Sequence, residues 1–122
     1  MQKEISKKIL IVEDEKTMSK ALKIKLSHFQ VSLANNGEEA IDILSKNKFD
    51  LILLDIMMPK MDGFDVLESM KKKRNKTPVF ILTNLNQDED VNRAKELGAK
   101  DFLVKSNITL LEIVNKINEF FK

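Results

Sequence analysis

The sequence predicts an α/β fold: one doubly wound, five-stranded parallel sheet in the order 2-1-3-4-5, flanked by five helices. Three observations carry the prediction. Short apolar runs alternate with stretches at helical spacing, five times over. The central run, Leu51-Ile52-Leu53-Leu54, is apolar without alternation, as a strand buried on both faces is. Polar residues follow these runs where open parallel sheets bind ligands, at the strands' carboxyl ends. Helices between successive strands then cover both faces through right-handed crossovers.

Each element follows from its residues. Ile9-Leu10-Ile11-Val12 is a buried strand that runs into Glu13-Asp14-Glu15. A helix over 17–28 turns Met18, Ala21, Leu22 and Leu26 inward, with Phe29 beyond them, and leaves Lys16, Lys20 and Lys23 in water. Val31-Ser32-Leu33-Ala34 alternates, as an edge strand does, and Asn35-Asn36-Gly37 turns. The helix over 38–46 buries Ala40, Ile41 and Leu44, with Glu38 and Glu39 at its positive end. Strand 51–54 meets Asp55, and Pro59 and Asp62-Gly63 force a turn. Gly63 opens a third helix lined by Phe64, Leu67 and Met70, and Lys71-Lys72-Lys73-Arg74 closes it as a solvated, cationic end. Pro78-Val79-Phe80-Ile81-Leu82 leads to Thr83. The helix over 88–97 faces Val91, Ala94 and Leu97 inward and stops at Gly98. Asp101-Phe102-Leu103-Val104 leads to Lys105, and a last helix from Ile108 buries Leu110, Ile113, Val114, Ile117 and one of Phe120 and Phe121.

Composition narrows the classes. The 122 residues suit one domain, 1–122, with a real core. There is no Cys, hence no disulfide, thiolate nucleophile or thiolate metal site. The start, through Lys8, is polar and mixed in charge and lacks the apolar run of a signal peptide, so a cytoplasmic protein without a membrane span is expected. A net charge of +2 is too small to argue for nucleic acid, and no direct nucleic-acid binding is expected.

The strand-end residues carry the chemistry. In the expected order, Glu13 and Asp14, Asp55, Thr83 and Lys105 converge on one pocket. Three carboxylates so close repel one another, which raises their pKa values or calls for a cation. An all-oxygen set selects a hard ion, Mg²⁺ or Mn²⁺. Lys105 meets an anion and Thr83 donates a hydroxyl. Together they describe a site for a phosphoryl group, with Asp55 as nucleophile. A turnover phosphatase would want a second carboxylate two residues after Asp55, where Met57 stands. A nucleotide or flavin module would want a glycine-rich first loop, but Gly occurs only at 37, 63 and 98. His28, the sole histidine, reads as a surface residue at a helix end.

The segment Asp55-x-x-Met58-Pro59-x-Met61-Asp62-Gly63, the pair Glu13-Asp14, Thr83, and Lys105 with Phe102 three residues before it resemble the receiver (CheY-like) domain of bacterial two-component response regulators. The resemblance covers essentially the whole chain. It implies that Asp55 accepts a phosphoryl group from a phosphohistidine on a sensor histidine kinase or phosphotransfer protein. It implies Mg²⁺ on Asp14, Asp55 and the Met57 carbonyl, with Glu13 acting through water, and phosphoryl oxygens on Lys105 and Thr83. Thr83 and Phe102 form the switch, and helix four, strand five and helix five form the altered surface. The first-helix face around Thr17, Met18 and Ala21 is the implied kinase contact. Such a protein is a switch that assists its own phosphorylation and dephosphorylation, not a turnover enzyme, and is a monomer or a weak phosphorylation-dependent dimer.

One position departs. The family has proline after its lysine, joined by a cis bond, whereas Ser106 follows Lys105 here. A cis bond without proline costs about 3 kcal/mol, so Lys105–Ser106 is expected to be trans. The sequence begins no linker after Phe120-Phe121-Lys122, so a stand-alone regulator acting on an output partner is the expectation, with a receiver cut from a longer protein as the alternative.

Overall fold

A computed structural model describes residues 6–122. Met1–Ile5, part of the polar start and of the expected domain 1–122, lie outside the described residues. The elements are β1 (Lys8–Val12), α1 (Lys16–Lys25), β2 (Gln30–Ala34), α2 (Gly37–Lys46), β3 (Leu51–Leu54), α3 (Gly63–Lys72), β4 (Val79–Thr83), α4 (Asp88–Glu96), β5 (Asp101–Val104) and α5 (Leu110–Phe120), with a 3₁₀ turn at Lys105–Asn107. All strands are parallel, in the order β2-β1-β3-β4-β5, as the sequence predicts.

Strand periodicity splits the core into two layers. Leu10, Val12, Ile52, Leu54 and Ile81 face α2, α3 and α4, where they meet Ala40, Phe64, Leu67, Met70 and Ala94. Ile9, Ile11, Leu51, Leu53, Phe80, Leu82 and Leu103 face α1 and α5, where they meet Leu22, Leu26, Ile113 and Ile117. All four residues of β3 are buried, so the central strand has no wet face. Burying one such aliphatic side chain contributes about 1.5–3 kcal/mol. β2 alternates exposed and half-buried residues up to Leu33 and ends on the buried Ala34, as befits its edge position.

Two helix ends differ from their periodicity. α1 stops at Lys25, three residues before His28. Phe29 must turn down against Phe121, 5.3 Å between ring centroids, and Gln30 must join β1 through the Lys7 carbonyl. The chain therefore tightens into a turn at 26–28, where Phe29 N–H donates to the Leu26 carbonyl. α5 starts at Leu110, not Ile108, because Thr109 and Glu112 form a capping box, while the 3₁₀ turn takes up 105–107. Asn36, expected in a turn, caps α2 by accepting the Glu39 N–H at 2.8 Å. Gly98 adopts φ 100° beyond α4, the left-handed stop that its position predicts. Lys71, Lys72, Lys73 and Arg74 are all exposed.

The segment between β3 and α3 is fastened at both ends. Gly37 N–H donates to the Met61 carbonyl at 3.1 Å, and Gly63 N–H to the Ile56 carbonyl at 2.9 Å. Asp62 and Asp65 close a reciprocal capping box at the head of α3. Both glycines are required by space. A Cβ on Gly63 would lie 2.5 Å from the Asp55 carbonyl oxygen, and one on Gly37 would overlap the Met61 carbonyl.

Candidate functional site

The ladder brings the polar residues to one edge. Asp55 N–H donates to the Val12 carbonyl at 3.0 Å, so Glu13 and Asp55 leave adjacent strands together. Thr83 pairs with Val104, which puts Lys105 one residue further along. Glu13 is 2% exposed and Asp55 4%. Such burial of two carboxylates requires a cation. Lys105 supplies it: Nζ lies 2.7 Å from Glu13 Oε1 and 3.0 Å from Asp55 Oδ2. The other Asp55 oxygen, Oδ1, accepts the Met57 N–H at 3.2 Å, and Glu13 Oε2 accepts the Glu15 N–H at 3.1 Å.

Carboxylate oxygens of Glu13, Asp14 and Asp55 lie within 4.8 Å of one another. Asp14 is exposed, so the cluster opens to water on that side. Three hard oxygen donors with a wet face fit a divalent ion that keeps part of its hydration shell. Glu15 is outside the cluster.

Mutual repulsion is not the leading electrostatic effect. Glu13 is pushed up to about 7, first by burial; its hydrogen bond from Lys105 acts against this, and the Asp55 charge adds to it. Burial pulls Lys105 down, but its bonds to Glu13 and Asp55 outweigh that and raise it above its ordinary value. Metal-free native protein holds the Glu13 proton more tightly than the unfolded chain between 4.5 and about 7. The stability from this group is full below about 4.5 and is lost as pH rises through about 7. At about 1.4 kcal/mol per pKa unit, the loss is at most about 3–4 kcal/mol. Thermal melts in chelator are expected to show Tm falling across that window, with the slope flattened in Glu13→Gln. An unchanged slope in that variant would assign it to another group.

The remaining predicted residues differ in burial and in partners. Thr83 is fully buried, and its hydroxyl accepts the Leu85 N–H at 3.3 Å. Phe102 is half-buried and packs on the α2–α3–α4 side of the sheet, in the layer that also holds Leu85 and Ala99. Met57 is 57% exposed beside the cluster. Thr17 is exposed, whereas Met18 and Ala21 are half-buried. His28 is exposed and shares a 2.9 Å hydrogen bond with Asn118 Oδ1, far from the acidic cluster in the fold's order of elements. No cis bond occurs among the described residues, so Lys105–Ser106 is trans, as expected. Sequence reasoning missed Asn84, whose Oδ1 accepts the Ser106 N–H at 3.0 Å. The available signal was a polar side chain directly after Thr83 at a strand end.

The sequence model of the response regulator receiver domain matches residues 9–118. The chain belongs to that family. Two curated relatives of this receiver are the probable transcriptional regulator ycf27 of Cyanidium caldarium and CpxR of Escherichia coli. The first is 41% identical over 99 residues, covering 80% of this chain and 39% of the relative. The second is 40% identical over 100 residues, covering 80% and 42%. This chain thus spans about two fifths of the length of those relatives. Among solved structures, the receiver domain of Francisella response regulator 1452 superposes with a TM-score of 0.85 at 30% identity, over 93% of this chain and 94% of that one. The BeF₃-activated DrrB receiver gives 0.84 at 28%, over 96% and 98%. The general role of a response regulator receiver is phosphorylation on an aspartate under a sensor kinase. The relatives are transcriptional regulators by name, so the expectation of no nucleic-acid contact narrows to these residues and does not extend to a whole response regulator. No helix among the described residues is long and apolar enough to cross a membrane.

Proposed function

We propose that Asp55 is the phosphoacceptor of this receiver and that the cluster around it performs and reads the phosphorylation. The observation that carries this reading is the position of Asp55: buried, 3.0 Å from Lys105 and within reach of two further carboxylates. An Asp55 oxygen attacks the phosphorus of a phosphohistidine. The P–N bond breaks, its electrons stay with the imidazole, and an aspartyl phosphate remains. Asp14, Asp55 and the Met57 carbonyl would hold Mg²⁺ (Mn²⁺ shares the chemistry), with Glu13 reaching it through water. The ion, when bound, offsets the charge of the phosphoryl oxygens. Lys105 exchanges its carboxylate partners for a phosphoryl oxygen, and Thr83 donates its hydroxyl to another. Met57, two residues beyond Asp55, provides no general acid, so the domain switches once per phosphorylation and does not turn over substrate. The donor is a sensor histidine kinase or phosphotransfer protein docking near Thr17. The reader is an output module, attached or separate, and the setting is cytoplasmic. Intact-mass measurement after incubation with acetyl phosphate and Mg²⁺ tests the reading. One added phosphoryl group is expected, and none in excess chelator.

The switch runs through Thr83. Its hydroxyl is held by Leu85 N–H, and reaching a phosphoryl group requires loop 84–87 to move inward. Leu85 and Phe102 pack in the same layer, so that shift changes the space at Phe102. Thr83→Ala is expected to be phosphorylated still. It should lose most of the response at Phe102 and α4, a coupling of about 1–3 kcal/mol in systems of this kind. Chemical shifts of both proteins with and without beryllofluoride provide the check, and equal responses would route the signal elsewhere.

A further inference from the structure

Asn84 stands between the two segments that supply the cationic and hydroxyl groups of the site. β4 and β5 pair through the backbone as far as Thr83 and Val104. One residue on, a side chain continues the pairing: Asn84 Oδ1 accepts the Ser106 N–H at 3.0 Å. The donor is the second residue of the 3₁₀ turn that begins at Lys105, an N–H without a partner inside the turn. A ring is thereby closed. It runs from Thr83 to Asn84, across to Ser106, back through Lys105 to Val104, and across the ladder to Thr83. Without the Asn84 bond, no hydrogen bond among the described residues would join the two segments beyond their last ladder pair. With it, the turn of Thr83 and the reach of Lys105 are mechanically joined. The bond depends on a residue with a backbone N–H at 106, which proline lacks.

We infer that Asn84 is a positioning residue: its side chain ties the Thr83 segment to the Lys105 turn, so that hydroxyl and ammonium meet a phosphoryl group on Asp55 as one unit. This rests on the phosphoacceptor reading of Asp55. Asn84 is exposed and its side chain's hydrogen bond goes to Ser106, not to the carboxylate cluster, so its removal is expected to leave the core and the carboxylates in place.

The test uses wild type, Asn84→Ala, Asn84→Asp and Ser106→Ala in two measurements. Solvent exchange of the Ser106 amide is expected to be about 2- to 10-fold faster in Asn84→Ala, the range for one hydrogen bond. It should return to the wild-type rate in Asn84→Asp, which keeps the acceptor, and in Ser106→Ala, which keeps the donor. Beryllofluoride affinity in saturating Mg²⁺ is expected to fall about 2- to 10-fold in Asn84→Ala and to hold in Ser106→Ala. Mg²⁺ affinity alone should not change, which separates positioning from general loosening. An unchanged exchange rate in Asn84→Ala would overturn the tie itself. A normal rate change with unchanged beryllofluoride affinity would overturn its role. If wild type fails to bind beryllofluoride at all, the Asp55 reading falls and the role with it, while the exchange data still report whether the tie exists.

Discussion

Asp55→Asn is expected to abolish the mass gain from acetyl phosphate while leaving the protein folded. The substitution is isosteric in a site only 4% exposed, so packing is kept. An amide offers no anionic oxygen to attack phosphorus. Lys105 retains Glu13 at 2.7 Å and is not left as an unpaired buried cation. The amide oxygen still accepts the Met57 N–H in place of Oδ1. The effect is therefore all-or-none in chemistry and small in stability. Intact-mass spectra beside melting curves decide it. A full mass shift in the variant would move the acceptor to another carboxylate.

The second large effect is expected in metal binding. Asp14→Ala should weaken Mg²⁺ by at least about tenfold, or about 1.4 kcal/mol. Asp14 is the exposed member of the three-carboxylate cluster, with no cation paired to it among the described residues. Its neighbour Glu15 provides the control. Glu15 contributes a backbone N–H to Glu13 and stands at the head of α1, where its side chain makes no capping bond. Glu15→Ala keeps that N–H, and the loss of one exposed charge should change affinity by less than about threefold. Titrations by calorimetry or by amide shifts separate the two. Equal losses would mean that the site senses only overall charge.

The sheet order and the meeting of Glu13, Asp14, Asp55 and Lys105 were legible because strand burial and strand-end polarity are local properties. Leu51–Leu54 announces a central strand by composition alone, and Asp55, Thr83 and Lys105 follow their strands directly. What escaped depends on partners distant in sequence. α1 ends early because Phe29 has to meet Phe121, a residue 92 positions away. Charge counting anticipates a raised carboxylate, but only the folded structure shows that burial, ahead of Asp55, raises Glu13. Phe102 sits half-buried against the core layer shared by α2, α3 and α4, a fact of tertiary packing and not of periodicity. Asn84 is missed for the same reason, since its partner is 22 residues on.

The fastening of residues 56–62 has a mechanical consequence. Gly37 and Gly63 clamp that segment against backbone that no side chain can enter, and the Asp62–Asp65 box locks its far end. It behaves as the fixed jaw of a vice. Across from it, loop 84–87 leads into a helix whose N-cap residue, Gln87, makes no side-chain cap and whose one buried residue is Ala94. That is the sliding jaw. A phosphoryl group on Asp55 is expected to displace the compliant side and leave the stiff side still, which would give the shape change a built-in direction, toward α4 and β5 and away from α2 and α3. Loosening the clamp, as Gly63→Ala would, should share the displacement between both sides and blunt the signal even where the chemistry at Asp55 survives.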